Sequence, residues 1–339
     1  MVISRRDFMK LAAVLSGGFL AKSQSSFAQT SYNAPVYGIS LAQWSLHKTL
    51  FGEGHSARVS GISLDEIKQK LVHTPSYFLR GNLDPLDFPI YSRQKFGIDA
   101  VEYVNTFYLG KARDDAYLNE LKRRADGEGV QSLLIMCDLE GDLGHPMTEE
   151  RLLSVNNHKK WVDAAARLGC HSIRVNVNSD GSPEEQAKLV ADGLFHLASY
   201  AETQKINILV ENHGGLSSNP DWLLDTIKSV NHPSLGTLPD FGNFKVKDDE
   251  LYDPYYGVEK LMPYARAISA KAFDFDEEGN HKRFDFSKLV RIVVNHGYRG
   301  HIGIEYEGNK LAEETGIRLT KALLESIHAD LIKQPRVLG

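Results

Sequence analysis

The sequence predicts an α/β protein that folds as a single (β/α)8 barrel. Eight short runs of apolar, β-favouring residues follow one another along residues 29–339, and a helical stretch comes after each of them. Eight such repeats are typical of a parallel sheet closed into a barrel, which needs about 250 residues. A doubly wound sheet is disfavoured, because Leu46, His47 and Lys48 follow the first run where that fold has a Gly-rich turn.

The elements are predicted in chain order from these alternating patterns. The predicted strands lie at 37–44, 100–105, 132–137, 172–178, 206–213, 235–240, 267–273 and 301–306. The predicted helices lie at 84–95, 114–128, 148–168, 183–204, 221–230, 253–264, 285–296 and 313–332. Residues 49–83 contain Gly, Ser, Pro and mixed charge without clear periodicity, so a long loop or lid is expected after the first strand.

The N-terminus has the pattern of an export signal. A twin-arginine segment with Arg5 and Arg6 precedes an apolar run at 11–21 and a small-x-small cleavage site at 26–28. The run is too short to span a bilayer and has no polar face, which disfavours both a membrane span and an amphipathic anchor helix. We therefore expect residues 1–28 to be a twin-arginine signal peptide, and the mature chain to be periplasmic or secreted without a stable membrane anchor.

The charge balance argues against nucleic acid as a partner. The chain has 39 Lys and Arg residues against 44 Asp and Glu residues, a formal net charge of −5. Residues 29–339 are more acidic still, because the signal segment is basic. Phosphate backbones are bound by clustered positive surfaces, which this sequence does not indicate.

The two cysteines are expected to be buried thiols. Cys137 falls at the end of one predicted strand and Cys170 falls just before the next. In neighbouring parallel strands these positions are about 15 to 20 Å apart, beyond the reach of a disulfide.

Strand parity places several charged side chains inside the barrel. Because alternate strand residues face the interior, the inward polar residues include Glu102, Arg174, Asn176, Glu211, His213, Asp240, Ser269, Lys271, Glu305 and Glu307. Most of these residues lie near the carboxyl ends of their strands, where barrels of this kind place active sites. Buried charges are costly unless a metal, mutual pairing or a substrate compensates them. For any single residue, a solvated rim charge or a salt bridge remains the alternative.

Five motifs in the sequence resemble one family. They are FGIDAVEY at 96–103, LGCHSIRVN at 168–176, VENHGG at 210–215, PDFGNF at 239–244 and GIEYEG at 303–308. Together they resemble the sugar phosphate isomerase/epimerase family with the xylose isomerase-like TIM barrel, which includes tagatose and psicose 3-epimerases, inosose dehydratases and hydroxypyruvate isomerases. The resemblance covers nearly all of residues 29–339 and leaves the individual reaction open.

The resemblance implies a divalent metal site with one altered ligand. In the metal-dependent epimerases of this family, a Glu, an Asp, a His and a Glu from strands five to eight hold the ion. Glu211, Asp240 and Glu305 match three of them, whereas Ser269 stands at the usual His position. His213 is the candidate for a fourth ligand, with hydrogen bonding to substrate as its alternative role. A shell of three carboxylates favours Mn²⁺, Mg²⁺ or Ca²⁺ over zinc.

The implied chemistry is proton transfer beside a sugar carbonyl. Glu211 and Glu305 are expected to act as base and acid on opposite faces of a ketose, while the ion, or Lys271 in its place, stabilises an enediolate. This gives an isomerase or epimerase. A lyase that eliminates from a keto-sugar or 3-keto-glycoside is the alternative, and a catalytically inactive carbohydrate-binding barrel is a third possibility.

The remaining residues of interest are expected to bind the carbohydrate. Five residues at or near the predicted mouth are candidates for contacts with sugar hydroxyls: Trp44, Glu102, His145, Arg174 and Asn176. For Trp44, an ordinary place in the core is an equal alternative. The sequence leaves the oligomeric state open, and a homo-oligomer is compatible with it.

Overall fold

The computed structural model describes residues 36–248 and 250–333. The predicted signal peptide, residues 1–28, lies outside the described residues. The described part contains ten strands: β1 Gly38–Ala42, β2 Ala100–Val104, β3 Gln131–Cys137, β4 Ser172–Val175, β5 Asn207–Glu211, β6 Leu235–Leu238, β7 Lys245–Lys247, β8 Glu250–Leu251, β9 Ile268–Ala272 and β10 His301–Tyr306.

Eight of these strands form one parallel sheet. Hydrogen-bonded neighbours follow the order β6, β5, β4, β3, β2, β1, β10, β9. The two outer strands of this order are joined by parallel bridges between Thr237 and Ala265 and between Asp240 and Ser269. The sheet therefore closes on itself, which confirms the predicted barrel.

Helices follow the strands, and most of them cover the outside of the sheet. They are α1 His47–Phe51, α2 His55–Val59, α3 Leu64–His73, α4 Phe88–Tyr91, α5 Asp115–Gly127, α6 Thr148–Leu168, α7 Pro183–Thr203, α8 Pro220–Val230, α9 Pro254–Leu261, α10 Phe286–Asn295 and α11 Glu313–Lys333. Short polar side chains start several of them. At α7, Ser182 and Glu185 form a reciprocal capping box, with Pro183 in the first turn. Outward strand residues such as Ile173 and Val175 are fully buried beneath this layer, as alternation predicts.

The predicted strands and helices are present, and the main differences lie at strand ends. The predicted fourth and fifth strands extend past Val175 and Glu211, where the observed ladders stop. The chain leaves the sheet at these points, and the polar residues that follow belong to the loops at the barrel mouth. A small antiparallel hairpin of β7 and β8, which the sequence did not indicate, follows β6.

The segment 49–83 contains more regular structure than the expected loop or lid. Most of α1 and all of α2 and α3 fall within it. Ser63 caps α3 by accepting a hydrogen bond from the backbone N–H of Glu66. Buried Glu313, at the start of α11, accepts hydrogen bonds from the backbone N–H groups of Lys48 and Thr49 and fixes the start of the segment to the barrel.

Two further predictions concern the cysteines and the membrane. Cys137 and Cys170 are both buried and free, as expected. Within residues 36–248 and 250–333, no helix combines the length and the apolar character that a bilayer crossing requires.

Candidate functional site

Three buried carboxylates meet at the carboxyl end of the barrel. Glu211 is the last residue of β5, Asp240 lies two residues beyond the end of β6, and Glu305 lies in β10. The carboxyl ends of parallel strands meet at one edge of the sheet, and alternation turns Glu211 and Glu305 inward. Asp240 is paired with Ser269 by a parallel bridge beyond the end of β6. One carboxylate oxygen from each lies within 4.8 Å of the others, and all three residues are buried. The structure thus brings together the three carboxylates that the sequence predicted as metal ligands.

Asp240 is the least compensated member of this group. Its Oδ1 accepts a hydrogen bond from the backbone N–H of Gly242 at 2.8 Å, whereas its buried Oδ2 has no hydrogen-bond partner. Burial raises the pKa of Asp240 well above its usual range, and the nearby charges of Glu211 and Glu305 add to this against the opposing effect of Lys271. An unpartnered carboxylate oxygen at this depth is the feature that a bound cation would satisfy.

Asn212 holds the backbone of Asp240 in place. Its side-chain oxygen accepts from the backbone N–H of Asp240 at 2.8 Å, and its amide nitrogen donates to the Asp240 carbonyl at 3.0 Å. The side-chain amide is fully buried, so it has no competing water. Asp240 is therefore fixed at the barrel mouth although it lies past the end of its strand.

Glu305 is held by Ser269 and Lys271. The Ser269 hydroxyl donates to Oε2 of Glu305 at 2.9 Å, and the Lys271 ammonium lies 3.6 Å from the same oxygen. Burial opposes ionisation of Glu305, but the positive charges of Lys271 and Arg174 outweigh it and lower the pKa of this carboxyl. Ser269, at the position where the resemblance implies a histidine, thus orients a carboxylate.

Lys271 is a buried cation surrounded by acceptors. Its Nζ lies 3.3 Å from Oε1 of Glu307 and donates to Oδ1 of Asn243 at 3.3 Å. Burial opposes the charged form, but the carboxylates of Glu305, Asp240 and Glu307 raise the pKa of Lys271 well above its ordinary value. Lys271 therefore stays protonated and supplies a fixed positive charge beside the carboxylate group.

Glu211 is contacted on both of its oxygens. Asn243 donates from Nδ2 to Oε1 at 3.0 Å, and Nε of Arg174 lies 2.8 Å from Oε2. This second contact is an ion pair without the alignment of a hydrogen bond. Nη1 of Arg174 donates to Oδ1 of Asp138 at 2.9 Å. Burial opposes charge on Arg174, but Asp138 and Glu211 hold its pKa above its ordinary range.

Glu102, in the middle of β2, is a fourth buried carboxyl inside the barrel. Ser40 donates to its Oε1 at 2.6 Å, and its Oε2 has no hydrogen-bond partner. Burial is the main reason that the pKa of Glu102 rises to about 7, and the negative charges of Glu305 and Glu211 contribute. A carboxyl with this pKa exchanges its proton near neutral pH.

The structure places the other predicted residues at the mouth in different settings. Asn176 donates to Oδ1 of Asp138 at 3.0 Å, beside Arg174. His145 is half-buried in the loop after β3, where its Nδ1 accepts from the backbone N–H of Met147. Trp44 is half-buried and stacks on His47, with ring centroids 5.1 Å apart. His213 is exposed and is not one of the three residues whose ligand atoms cluster.

Sequence reasoning missed three residues of the site: Asp138, Asn212 and Asn243. Asp138 directly follows β3, and its backbone N–H donates to Oδ1 of Asn105 at 2.8 Å. Asn243 lies three residues past Asp240 and links Glu211 to Lys271. Asn212 and Asn243 are both part of the motifs quoted above. The predicted fifth strand, 206–213, included Asn212 at an outward position, and Asn243 lies beyond a strand end, where alternation does not apply. An Asp directly after a strand was the one available signal for Asp138.

The donor set fits a hard divalent cation. Three carboxylates are oxygen donors of the kind that Mg²⁺, Mn²⁺ and Ca²⁺ prefer. The group has no sulfur donor, and the orphaned Oδ2 of Asp240 lies among these carboxylates.

Comparisons with known proteins agree with this architecture. The chain resembles the crystal structure of a 3-keto-D-glucoside 4-epimerase from E. coli at 15% identity and a TM-score of 0.60, over 72% of this chain and 94% of that one. It also resembles a magnesium complex of a xylose isomerase-like TIM barrel protein from Mycobacterium smegmatis, at 15% identity and a TM-score of 0.60 over 88% of this chain and 99% of that one. At these identities the likeness concerns the fold.

A local sequence match and a family match complete the comparison. The C-glycoside deglycosidase alpha subunit of Arthrobacter globiformis is 36% identical over 78 residues, which are 23% of this chain and 20% of that protein. The chain thus matches about a fifth of that relative's length. The sequence model of the xylose isomerase-like TIM barrel family matches residues 93–327. With this match over more than half of its length and a closed barrel that carries its acidic group at the mouth, the chain belongs to the xylose isomerase-like TIM barrel family.

Proposed function

We propose that this protein is a divalent-metal-dependent sugar isomerase or epimerase that moves a proton beside the carbonyl of a ketose or a related carbohydrate. One observation carries the proposal. Three buried carboxylates have oxygens within 4.8 Å of one another, and one of these residues, Asp240, has an Oδ2 without a hydrogen-bond partner. Family membership and the epimerase among the similar structures support it.

Glu211, Asp240 and Glu305 would hold the ion. When bound there, a divalent cation polarises a substrate carbonyl and stabilises the negative charge that develops on its oxygen. Lys271 adds a fixed positive charge on the Glu305 side of the group. Arg174 adds another on the Glu211 side, where its own charge is shared with Asp138.

The carboxyl groups provide the proton chemistry. The lowered pKa of Glu305 keeps it ionised and able to accept a proton from a carbon next to the carbonyl. Glu211 approaches from β5, on the far side of Asp240 and Ser269, so it supplies a second carboxylate for the opposite face of the substrate. With its pKa of about 7, Glu102 can give or take a proton near neutral pH. Two carboxylates on two faces are what an epimerisation needs.

The substrate is proposed to be a carbohydrate. Polar side chains surround the mouth: Oε2 of Glu102 is unpartnered, and Asn176, His145 and His213 lie on the strands or loops around it. The half-buried Trp44, stacked on His47, is proposed to pack against the apolar face of a sugar ring.

A lyase is the second candidate. The local identity to the C-glycoside deglycosidase alpha subunit favours it, because that relative is named for removing a sugar from a glycoside. The first step is shared: a carboxylate removes the proton beside the carbonyl. The paths then differ, since the lyase expels a leaving group from the next carbon, whereas the epimerase returns the proton.

The test starts with metal content. We expect mass spectrometry of the purified protein to find about one equivalent of Mn, Mg, Co or Zn, lost in Glu211→Gln and Glu305→Gln. Glu140→Gln is the matched control, because Glu140 is also buried but pairs with Lys68 and Lys160 outside the group. A protein that stays metal-free after reconstitution would refute the ion-based mechanism.

Proton exchange in D₂O then separates the reactions. Incubation with ketoses and 3-keto-glucosides should introduce deuterium at the carbon beside the carbonyl, detected by NMR. A new sugar epimer identifies the epimerase, and a released aglycone identifies the lyase. Binding of sugars without deuterium incorporation would instead mark a barrel that only binds carbohydrate.

Export is a further part of the proposal. The twin-arginine pattern at residues 1–28 supports a periplasmic or secreted protein. A homo-oligomer remains compatible with it and is measured by light scattering of the mature chain.

A further inference from the structure

A chain of side-chain contacts links the carboxyl ends of four neighbouring strands. Asn105, after β2, accepts from the backbone N–H of Asp138, after β3. Asp138 pairs with Arg174 in β4, and Arg174 pairs with Glu211 at the end of β5. Of these residues, only Glu211 belongs to the three-carboxylate group of Glu211, Asp240 and Glu305. This series of contacts therefore connects that group to Asn105 and Asp138, which do not touch it.

Arg174 is the central residue in this series of contacts. Its side chain is 4% exposed, and its guanidinium reaches Oδ1 of Asp138 at 2.9 Å and Oε2 of Glu211 at 2.8 Å. The planar guanidinium has five donors in a rigid fork, so it can span two carboxylates in a fixed geometry, which an ammonium group cannot do. Asn176 donates to the same oxygen of Asp138 and fixes the outer end.

Asn243 contacts Glu211 from the other side. It donates to Oε1 at 3.0 Å, and its own side-chain oxygen accepts from Lys271 at 3.3 Å. Both oxygens of Glu211 therefore have partners that are themselves held by charged groups. Asp240, in contrast, has one orphaned oxygen.

We propose that Asp138, acting through Arg174, is a positioning residue that holds Glu211 in the orientation needed to bind the divalent cation. This inference rests on the proposed function, because it requires that Glu211 be a metal ligand. It assigns Arg174 a different role from the predicted contact with sugar hydroxyls, since its guanidinium donates to Asp138 and forms an ion pair with Glu211.

Positioning and simple electrostatics predict opposite signs for the loss of Arg174. A guanidinium next to a cation site repels the cation, so by charge alone Arg174→Met should tighten cation binding. If Arg174 positions Glu211, the same change releases a ligand and weakens binding. Loss of a group that orients a metal ligand typically weakens metal affinity by about 10-fold to 100-fold.

The experiment measures the affinity for Mn²⁺ by titration calorimetry and by electron paramagnetic resonance of free Mn²⁺. We expect Arg174→Met to weaken binding by about 10-fold to 100-fold, and Asp138→Asn to weaken it by about 10-fold. Arg174→Lys keeps the charge but cannot span both carboxylates, so it should bind Mn²⁺ as poorly as Arg174→Met. Circular dichroism melts identify any variant that fails to fold, in which case Asp138→Asn carries the test.

Asp142→Asn is the matched control. Asp142 is an exposed carboxylate in the loop after β3, and it accepts a hydrogen bond from Asn178. The substitution Asp142→Asn removes one negative charge from the same loop as Asp138 and leaves the contacts of Arg174 unchanged. Its effect on Mn²⁺ affinity should be less than about threefold, as expected for a solvent-screened charge.

The outcomes separate the two proposals. If the wild-type protein binds no Mn²⁺, both the proposed function and this inference fall. If the wild type binds Mn²⁺ but Arg174→Met binds it equally well or more tightly, only the positioning role is refuted. Equal losses of Mn²⁺ affinity in Asp138→Asn and Asp142→Asn would also refute the positioning role, because the loss of one negative charge would then explain the effect.

Discussion

The protonation of Glu102 should make the stability of this protein depend on pH. Burial raises the pKa of Glu102 from its ordinary 4.5 to about 7 in the folded chain. Between these two values the folded state binds more protons than the unfolded state, so the free energy of unfolding falls as the pH rises through this window. At about 1.4 kcal/mol per pKa unit, the full loss above pH 7 is about 3 kcal/mol. Glutamine has the shape of the protonated carboxyl and does not ionise, so Glu102→Gln removes this loss.

The assay is urea denaturation of the metal-free protein in EDTA at pH 5 and pH 8. The difference in unfolding free energy between Glu102→Gln and wild type should be about 2.5 kcal/mol more favourable to the variant at pH 8 than at pH 5, where part of the loss has already occurred. Ser40→Ala is the companion variant, because the Ser40 hydroxyl lowers the pKa of Glu102 by donating to it. The cost of Ser40→Ala should grow with pH in the wild-type background and not in Glu102→Gln. A difference between Glu102→Gln and wild type that is the same at both pH values would contradict a raised pKa for Glu102.

Three other changes test separate parts of the structure. Lys271→Met leaves buried carboxylates unpaired and should lower the free energy of unfolding in EDTA by about 3 to 5 kcal/mol, as measured by urea denaturation. A loss below about 1 kcal/mol would contradict a stabilising ion pair between Lys271 and these carboxylates. Gly303→Ala places a Cβ against Oε1 of Glu102 and should lower the free energy of unfolding in the same urea assay by about 1 to 3 kcal/mol, because it displaces that carboxyl from its hydrogen bond; the loss should be smaller when Glu102 is already alanine. Replacement of Arg5 and Arg6 together by lysine should leave the protein in the cytoplasmic fraction, as measured by cell fractionation, and unchanged export would contradict the twin-arginine signal.

The barrel was predictable because its signals are local. A strand with outward Ile and Val, such as the one containing Ile173 and Val175, must bury that face beneath helices, and the inward residues follow from the period of two. The same rule placed Glu211 and Glu305 inside the barrel. The family motifs added the expectation that they hold a cation, and the three-carboxylate group observed here is compatible with it.

Other parts of the structure are set by contacts between segments that are distant in sequence. The helices α1, α2 and α3 could not be predicted, because their segment has no clear periodicity. Short helices such as these are stabilised mainly by the elements they pack against. Asp138 and Asn243 lie beyond strand ends, where alternation no longer applies. Their roles depend on Arg174 and Lys271, residues 36 and 28 positions away in the chain.

The barrel, the inward direction of its carboxylates and the buried state of its two cysteines could be predicted from the sequence, since each follows from strand period and spacing. The differences between these carboxylates depend on the folded structure. Glu211 is contacted on both oxygens, Glu305 has a lowered pKa beside Lys271, and Glu102 has a pKa of about 7. Identical carboxyl groups acquire different properties because burial and the positions of neighbouring charges, which depend on the folded arrangement of all eight strands, set the cost of each ionised form.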